Sequence, residues 1–220
     1  MSAQTKLRLK KLHGSFFIVA WFVFVLNAVN YIRYYKPFFE DSTIFGQKIW
    51  FQFHRAANIF ALCLMICAFC FIFFVFDWKW QGPKVGGGDY NTTPGAIHSI
   101  LGTFAFGLAC LQVGNSFLRC APGRKNRKIF NWIHRCLGAS AFLLAVGTIS
   151  IAAKFFAGLF SGGRSPSNLL YSFYAIIAAC IITNEICTRF KFRMGLLISL
   201  LVLLVSSLIV SVCMSTLLLA

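Results

Sequence analysis

The sequence predicts an all-α membrane protein, built as a bundle of six transmembrane helices. Its 220 residues are 59% apolar and only 12% charged, whereas soluble globular chains are about 45–50% apolar and about 25% charged. The mean hydropathy is +0.76, which leaves too little polar surface to cover a particle in water. The chain also contains six apolar runs that are long enough to cross about 30 Å of hydrocarbon. A soluble globular protein is therefore excluded.

The six apolar runs define the predicted spans. They cover residues 14–32, 56–76, 96–118, 136–153, 169–187 and 194–219. In lipid, each backbone polar group must find its partner inside the protein, so we expect every run to be a helix. The chain then divides into a basic N-terminal tail, residues 1–11, and a transmembrane domain, residues 12–220. The connections between the runs are too short to form a soluble domain.

Positive charge predicts the orientation. Lys and Arg number 21 against 5 Asp and Glu, giving a formal net charge of +16. A nucleic-acid-binding protein could have the same charge, but the long apolar runs argue against nucleic acid as the partner. An even number of spans places both termini on one face, here called side A, and the other face is side B. Side A carries Lys6, Arg8, Lys10, Lys11, Lys79, Lys84, Lys154 and Arg164. Side B carries Arg33, Lys36, Lys48, Arg55, Arg119, Arg124, Lys125, Arg127, Lys128, Arg135, Arg189, Lys191 and Arg193.

Side B carries more of the Lys and Arg residues than side A, so side B is the expected cytoplasmic face. A glycosylation sequon at Asn91 in a side A loop agrees, since it could be used only outside the cytoplasm. The four basic residues before the first run favour the opposite orientation. We expect side A outside, in an integral multi-pass protein of the plasma membrane or an endomembrane vesicle.

The chain has four histidines, His13, His54, His98 and His134, one at the N-terminal end of each of the first four runs. Successive helices run in opposite directions, so His13 and His98 fall near side A and the other two near side B. A lone histidine at the end of a span is usually an interfacial residue or a hydrogen bonder. Four in corresponding places instead form two pairs of equal depth, and such imidazole pairs are suited to be the axial ligands of a haem iron.

The sequence thus predicts two haems, one near each face, with His13 and His98 on one iron and His54 and His134 on the other. Zinc is less suitable, because each pair supplies two ligands and no carboxylate or thiol stands beside them. An iron with both axial positions filled has no vacancy for a substrate. The predicted chemistry is therefore one-electron transfer, and we assign no catalytic side chain.

Two glycines are suited to a flat macrocycle. Gly102 and Gly138 each follow a histidine by four residues, one turn along the same helix face. The missing side chain would leave room for a porphyrin. Ordinary packing of small residues between membrane helices is the alternative.

Basic residues near the side B histidines could pair with haem propionates. Their density would also attract an anionic reductant such as ascorbate, and binding of anionic lipid is the alternative. The candidates are Lys48, Arg55, Arg127 and Arg135.

Several segments around the histidines carry a family resemblance. They are Leu12-His13-Gly14, Tyr31-Ile32-Arg33-Tyr34, Trp50-Phe51-Gln52-Phe53-His54-Arg55, His98-Ser99-Ile100-Leu101-Gly102 with Gln112, and Asn131-Trp132-Ile133-His134-Arg135-Cys136-Leu137-Gly138. Together they resemble the cytochrome b561 domain, in the variety of the ferric-chelate reductase and DOMON-linked proteins. The resemblance covers roughly residues 10 to 215.

This resemblance implies a six-helix fold whose four central helices hold two b-type haems, with the histidines paired as above. It also implies electron transfer from cytoplasmic ascorbate to an acceptor across the membrane, such as a ferric chelate or monodehydroascorbate. Relatives of this variety commonly carry an extracellular DOMON domain before the first helix. About a dozen residues stand there in this sequence, so we expect a partner protein or a shortened gene product to account for the missing domain. A homodimer is a separate candidate for the assembly.

Two other functions stay open at this point. One is a haem-free accessory or assembly protein that keeps the helices. The other is a small-solute transporter that moves protons through the histidines and Glu185, the only acidic residue within a predicted span. We expect Glu185 to reach the side B interface or to pair with Arg189 instead.

Overall fold

A computed structural model describes residues 1–119, 123–163 and 165–220. Arg164, which the charge count places on side A, lies outside the described residues, as do residues 120–122. In the described part, six helices are long and apolar enough to cross a membrane, which confirms the predicted spans. They are α1 (Ala3–Tyr34), α2 (Ile49–Val75), α3 (Pro94–Ser116), α4 (Arg127–Phe155), α5 (Ser167–Arg189) and α6 (Arg193–Leu219).

Several helices extend beyond the predicted spans. The predicted basic tail is helical from Ala3 and continues into the first span without a break, so α1 has 32 residues and a length of about 48 Å. α2 begins at Ile49 and α4 at Arg127, before their apolar runs. A search for apolar residues stops at the first basic side chains, whereas the helix continues to where those side chains are hydrated. The four histidines consequently lie one to three turns inside their helices.

Side-chain caps explain where two helices begin. The Ser2 hydroxyl accepts a hydrogen bond from the Thr5 amide at 3.2 Å, at the start of α1. The Thr93 hydroxyl accepts from the Ala96 amide at 3.2 Å, at the start of α3. Pro94 follows directly, in the first turn, where a proline costs no hydrogen bond. These contacts satisfy amides that have no partner within the helix.

The middle of α1 is π-helical, from Val19 to Val25. A π-helical stretch displaces main-chain carbonyls from their usual helical partners. The Asn27 amide compensates, donating to the carbonyls of Val23 at 2.8 Å and Phe22 at 3.3 Å. The same amide nitrogen lies 2.9 Å from the Ser207 hydroxyl of α6. Asn27, which interrupts the first apolar run, thus serves both the irregular stretch and the packing of α1 on α6.

The chain forms two compact units, Met1–Val75 with Ala157–Ala220, and Phe76–Phe156. The first unit contains α1, α2, α5 and α6. Buried polar groups join its helices: the Asn184 amide of α5 donates to the Asn30 side chain of α1 at 3.0 Å. The Tyr35 hydroxyl donates to the carbonyl of Leu196, and burial raises the pKa of this phenol, so it remains a donor.

The second unit consists of α3 and α4 with the segments that flank them. Alanines are buried where the two helices pack, namely Ala105 on α3 and Ala141 and Ala145 on α4. A Cβ placed on Gly147 would stand 3.7 Å from the Leu101 side chain. Such small residues let two membrane helices approach closely. His98 and His134 belong to this unit, and His13 and His54 to the other.

A short two-stranded hairpin precedes α2. Strands β1 (Thr43–Ile44) and β2 (Gln47–Lys48) pair antiparallel, with Thr43 opposite Lys48. The two residues between them, Phe45 and Gly46, both have positive φ angles, 50° and 71°, as a tight hairpin turn of this length requires. The hairpin leads the chain from α1 into α2 and so positions Lys48 one residue before the helix that carries His54.

Candidate functional site

His13 is held by the main chain of a neighbouring helix. Its Nδ1 atom lies 2.9 Å from the carbonyl oxygen of Ala68 on α2. Since a carbonyl can only accept, Nδ1 carries the proton and Nε2 carries the lone pair. Ala68 is completely buried, and its small side chain lets the imidazole reach the backbone. Phe17 packs edge-on against the ring, with centroids 5.0 Å apart.

His54 makes the corresponding contact in the other direction, from α2 to α1. Its Nδ1 lies 3.2 Å from the carbonyl oxygen of Ala28, which is also completely buried. One turn further along α2, the Asn58 amide donates to the His54 carbonyl at 2.7 Å and also lies 3.3 Å from Nδ1. The side chains of His13 and His54 are therefore both anchored where α1 and α2 pack together.

His98 contacts both the main chain and the side chain of one residue on α4. Its Nδ1 lies 3.0 Å from the carbonyl oxygen of Thr148 and 3.0 Å from the hydroxyl of the same residue on α4. That hydroxyl also donates to the main-chain carbonyl of His98 at 2.9 Å. Phe156 contacts the ring edge-on, with centroids 5.2 Å apart. Thr148 thus contacts both the ring and the backbone of the histidine.

His134 is oriented through its backbone and by an aromatic neighbour. Gln112 of α3 donates from its side-chain amide to the His134 carbonyl. The imidazole lies nearly parallel to the Phe130 ring, with an angle of 12° and centroids 5.8 Å apart. A Cβ built on Gly138 would stand 2.8 Å from the Gln112 amide nitrogen. The glycine is what allows this glutamine to cross to α4.

The two predicted glycines both face neighbouring side chains of their own unit. Gly138 faces Gln112, and a Cβ on Gly102 would stand 3.4 Å from the Thr148 hydroxyl. Both glycines therefore provide space between α3 and α4, as the packing alternative requires. Their position beside a porphyrin stays a prediction.

The four predicted basic residues lie on the same two helices as the side B histidines, or next to them. Lys48 donates to the carbonyl of Glu40. The guanidinium of Arg55 lies 5.9 Å from the centre of the Phe51 ring, that of Arg127 lies 5.5 Å from the Phe130 ring, and Arg135 is exposed. Contacts of these residues with an anion stay a prediction.

One further pair of basic residues concentrates positive charge in the second unit. Burial, and secondly the charge of Arg127, lowers the pKa of Arg119. Arg119 was counted on side B without a role in the sequence prediction.

Glu185 does not use the partner that its sequence position suggested. It accepts from the Arg33 guanidinium at 3.1 Å and from the Tyr34 hydroxyl at 2.7 Å, whereas the sequence predicts either a position at the side B interface or a pair with Arg189. Arg33 and Tyr34 end α1, and Glu185 stands near the end of α5. The pairing depends on how α1 and α5 pack, which the local sequence around Glu185 cannot indicate.

Comparison with known proteins decides the family. The family model described as "Eukaryotic cytochrome b561" matches residues 12–157, which is more than half of the chain and contains all four histidines. The chain belongs to the cytochrome b561 family. The match spans α1 to α4, the four helices that the sequence prediction assigned to haem, and this confirms the predicted resemblance.

Relatives of this b561 chain include ferric-chelate reductases. It is 33% identical to "Ferric-chelate reductase 1" of Bos taurus over 143 residues, 65% of this chain and 22% of that protein. It is 30% identical to the Homo sapiens protein of the same name over 141 residues, 64% of this chain and 22% of that protein. The chain thus matches only about a fifth of the length of these curated relatives. No solved structure matches it at a significant level.

Sequence reasoning missed the residues that hold the histidines. Ala28 and Ala68 act through main-chain carbonyls, and nothing in a sequence distinguishes such an alanine from an ordinary packing residue. Thr148 lies 50 positions from His98, so its role depends on the register of α3 against α4. Gln112 did form part of the family resemblance, and the structure adds its contact with the His134 carbonyl.

Proposed function

We propose that this b561 chain carries single electrons across a membrane with two b-type haems. In this proposal His13 and His98 hold one haem near side A, and His54 and His134 hold the other near side B. The donor is a cytoplasmic reductant, ascorbate or a similar anion, and the acceptor across the membrane is a ferric chelate or monodehydroascorbate. The family membership of residues 12–157 supports this function. The activity named for the ferric-chelate reductases belongs to proteins of which this chain matches about a fifth.

The chemistry of the donor set fits haem. A ligand to haem iron must be a neutral imidazole with a lone pair on the nitrogen that faces the metal. His13, His54 and His98 each place Nδ1 at hydrogen-bonding distance from a main-chain carbonyl. At His13 and His98 this arrangement puts the ring proton on Nδ1 and leaves Nε2 as the ligating atom, as is usual when a protein orients a metal-binding histidine. The Nδ1 atom of His54 faces both the Ala28 carbonyl and the Asn58 amide. The arrangement at His13 and His98 is the observation that supports the proposal most directly.

The remaining role of the protein is to orient the histidines and to keep water away from the haems. A bound haem supplies reversible one-electron oxidation and reduction of its iron. Helices α1 to α4 hold the histidines in fixed directions through Ala28, Ala68 and Thr148. Their apolar side chains exclude water and other reactants from the region between the two faces. No protein side chain needs to be oxidised or reduced.

The basic residues of side B would serve the anionic groups in this proposal. Haem propionates and an ascorbate-like donor are both anions, and arginine and lysine are their usual partners. Lys48 and Arg55 stand near His54, and Arg127 and Arg135 stand near His134 in the sequence.

Electron transfer can be tested in sealed vesicles. The purified chain is reconstituted into vesicles that contain ascorbate, and a ferric chelate is added outside. We expect reduction of the external iron at a rate well above that of protein-free vesicles. A variant in which His54 and His134 are both alanine is the control, and it should fall to the protein-free rate. Equal rates for the unaltered chain and the protein-free vesicles would overturn the proposed function.

A further inference from the structure

We propose that Thr148 is a positioning residue for His98, one that fixes the direction and the tautomer of the imidazole through its side chain. This inference rests on the proposed function, because it concerns the use of His98 as a haem ligand. The other two rings with a carbonyl partner, His13 and His54, meet the main chain of an alanine. Thr148 likewise offers His98 its own main-chain carbonyl, and it adds a side-chain hydroxyl.

The protons at this contact can be assigned. A hydroxyl has one proton to donate, and Thr148 directs it to the His98 main-chain carbonyl at 2.9 Å. Toward Nδ1, at 3.0 Å, the hydroxyl oxygen can then only accept. The Thr148 carbonyl, also at 3.0 Å from Nδ1, can only accept as well. Two acceptors therefore share the proton on Nδ1, and Nε2 is left with the lone pair.

The surroundings keep the hydroxyl in this position. Thr148 is buried, with 8% of its surface exposed, so no water replaces its bonds. Gly102, one turn after His98, leaves the space into which the hydroxyl projects, 3.4 Å from where a Cβ would stand. Phe156 packs edge-on against the imidazole. Thr148 and Phe156 thus contact the ring directly, on its Nδ1 side and edge-on.

Loss of the hydroxyl has a defined consequence. The ring keeps the Thr148 carbonyl as its acceptor but loses the second acceptor and the tie to its own backbone. Outer-shell partners of metal ligands typically change metal affinity by about 10–100-fold. We expect Thr148→Val to release haem about tenfold faster from the site that contains His98. Weaker hydrogen bonding at Nδ1 also makes the ligand less basic, so the midpoint potential of that haem should rise.

The test compares three variants of the full chain, purified with haem in lipid nanodiscs. Thr148→Val removes the hydroxyl and keeps the shape, and Thr148→Ser keeps the hydroxyl. Thr103→Val makes the same chemical change on α3, at a side chain that forms no hydrogen bond with a histidine within the described residues. Two quantities are measured: the rate of haem transfer to excess apomyoglobin, and the midpoint potentials from a redox titration. We expect one faster phase and one raised potential in Thr148→Val alone, with Thr148→Ser close to the unaltered chain.

The outcomes separate this inference from the proposed function. Suppose that the unaltered chain binds haem. If Thr148→Val then has the same haem-transfer rate and the same midpoint potentials as the unaltered chain and as Thr103→Val, Thr148 has no positioning role. If Thr148→Ser changes as much as Thr148→Val, the effect comes from packing and the inference is also wrong. An unaltered chain without b-type absorbance would instead refute the proposed function. Should Thr148→Val not fold, Thr148→Ala removes the same hydroxyl without filling the space and allows the same comparison.

Discussion

Replacing Asn184 with leucine tests whether a buried amide ties α5 to α1. Asn184 is completely buried, and its amide donates to the Asn30 side chain at 3.0 Å. Its oxygen lies 3.5 Å from the Tyr35 hydroxyl, too far for a strong bond. Leucine has the same number and branching of side-chain heavy atoms, so the change removes the hydrogen bonds and keeps the branched shape.

The expected energy follows from these distances. Hydrogen bonds between membrane helices average about 0.6 kcal/mol and reach about 1.7 kcal/mol. The single well-placed bond between Asn30 and Asn184 gives an expected coupling of about 1 kcal/mol, or about a fivefold change in the unfolding equilibrium.

A double-mutant cycle measures this coupling. Asn184→Leu, Asn30→Leu and the double variant are unfolded reversibly in mixed micelles, and the free energy of unfolding is compared with that of the unaltered chain. We expect each single variant to be less stable, and the double variant to lose less than the sum of the two. Additive losses would show that the two amides do not interact, and would refute the packing of α1 on α5 through this pair.

Three further predictions concern the candidate site. Gly138→Ala places a methyl group where the Gln112 amide lies, so it should break the bond to the His134 carbonyl and speed haem release as much as Gln112→Ala does, with no further effect in the double variant; additive effects would contradict this. His54→Ala and His98→Ala should each lower the haem content from two to one per chain, whereas retention of both haems would remove that histidine from the ligand set. Glu185→Gln should leave haem content and vesicle electron transfer unchanged, because Glu185 pairs with Arg33 and Tyr34 at the ends of two helices; loss of transfer with haem retained would assign this acid a proton-carrying role.

Sequence alone predicts the membrane helices well because lipid imposes a simple rule. A span must be apolar and long enough. Six runs meet that condition in the sequence, and six such helices are found in the described part of the chain. The ends of the helices are predicted less well. α2 and α4 continue past their apolar runs into basic segments at Ile49 and Arg127, since a helix does not have to end where hydrocarbon does.

The histidines stand out in the sequence, because such side chains are rare in a membrane span and each lies at the N-terminal end of one of the first four apolar runs. The residues around them do not. The partners of the rings are carbonyls of Ala28 and Ala68, and a carbonyl is present at every position of the chain. The π-helical stretch in α1 could not be predicted from the sequence either. In the sequence, Asn27 is only a polar residue that interrupts an apolar run. Such contacts depend on the register between helices, which no local pattern records.

The most direct test of the central claim is a count of haem per chain in the purified protein. The amount of b-type haem, from a reduced-minus-oxidised absorbance spectrum and pyridine haemochrome assay, is divided by the amount of chain from amino-acid analysis. Two axial pairs, His13 with His98 and His54 with His134, predict a ratio of two. A ratio of one would show that one of the pairs does not bind haem, and a chain without b-type absorbance would contradict the account altogether.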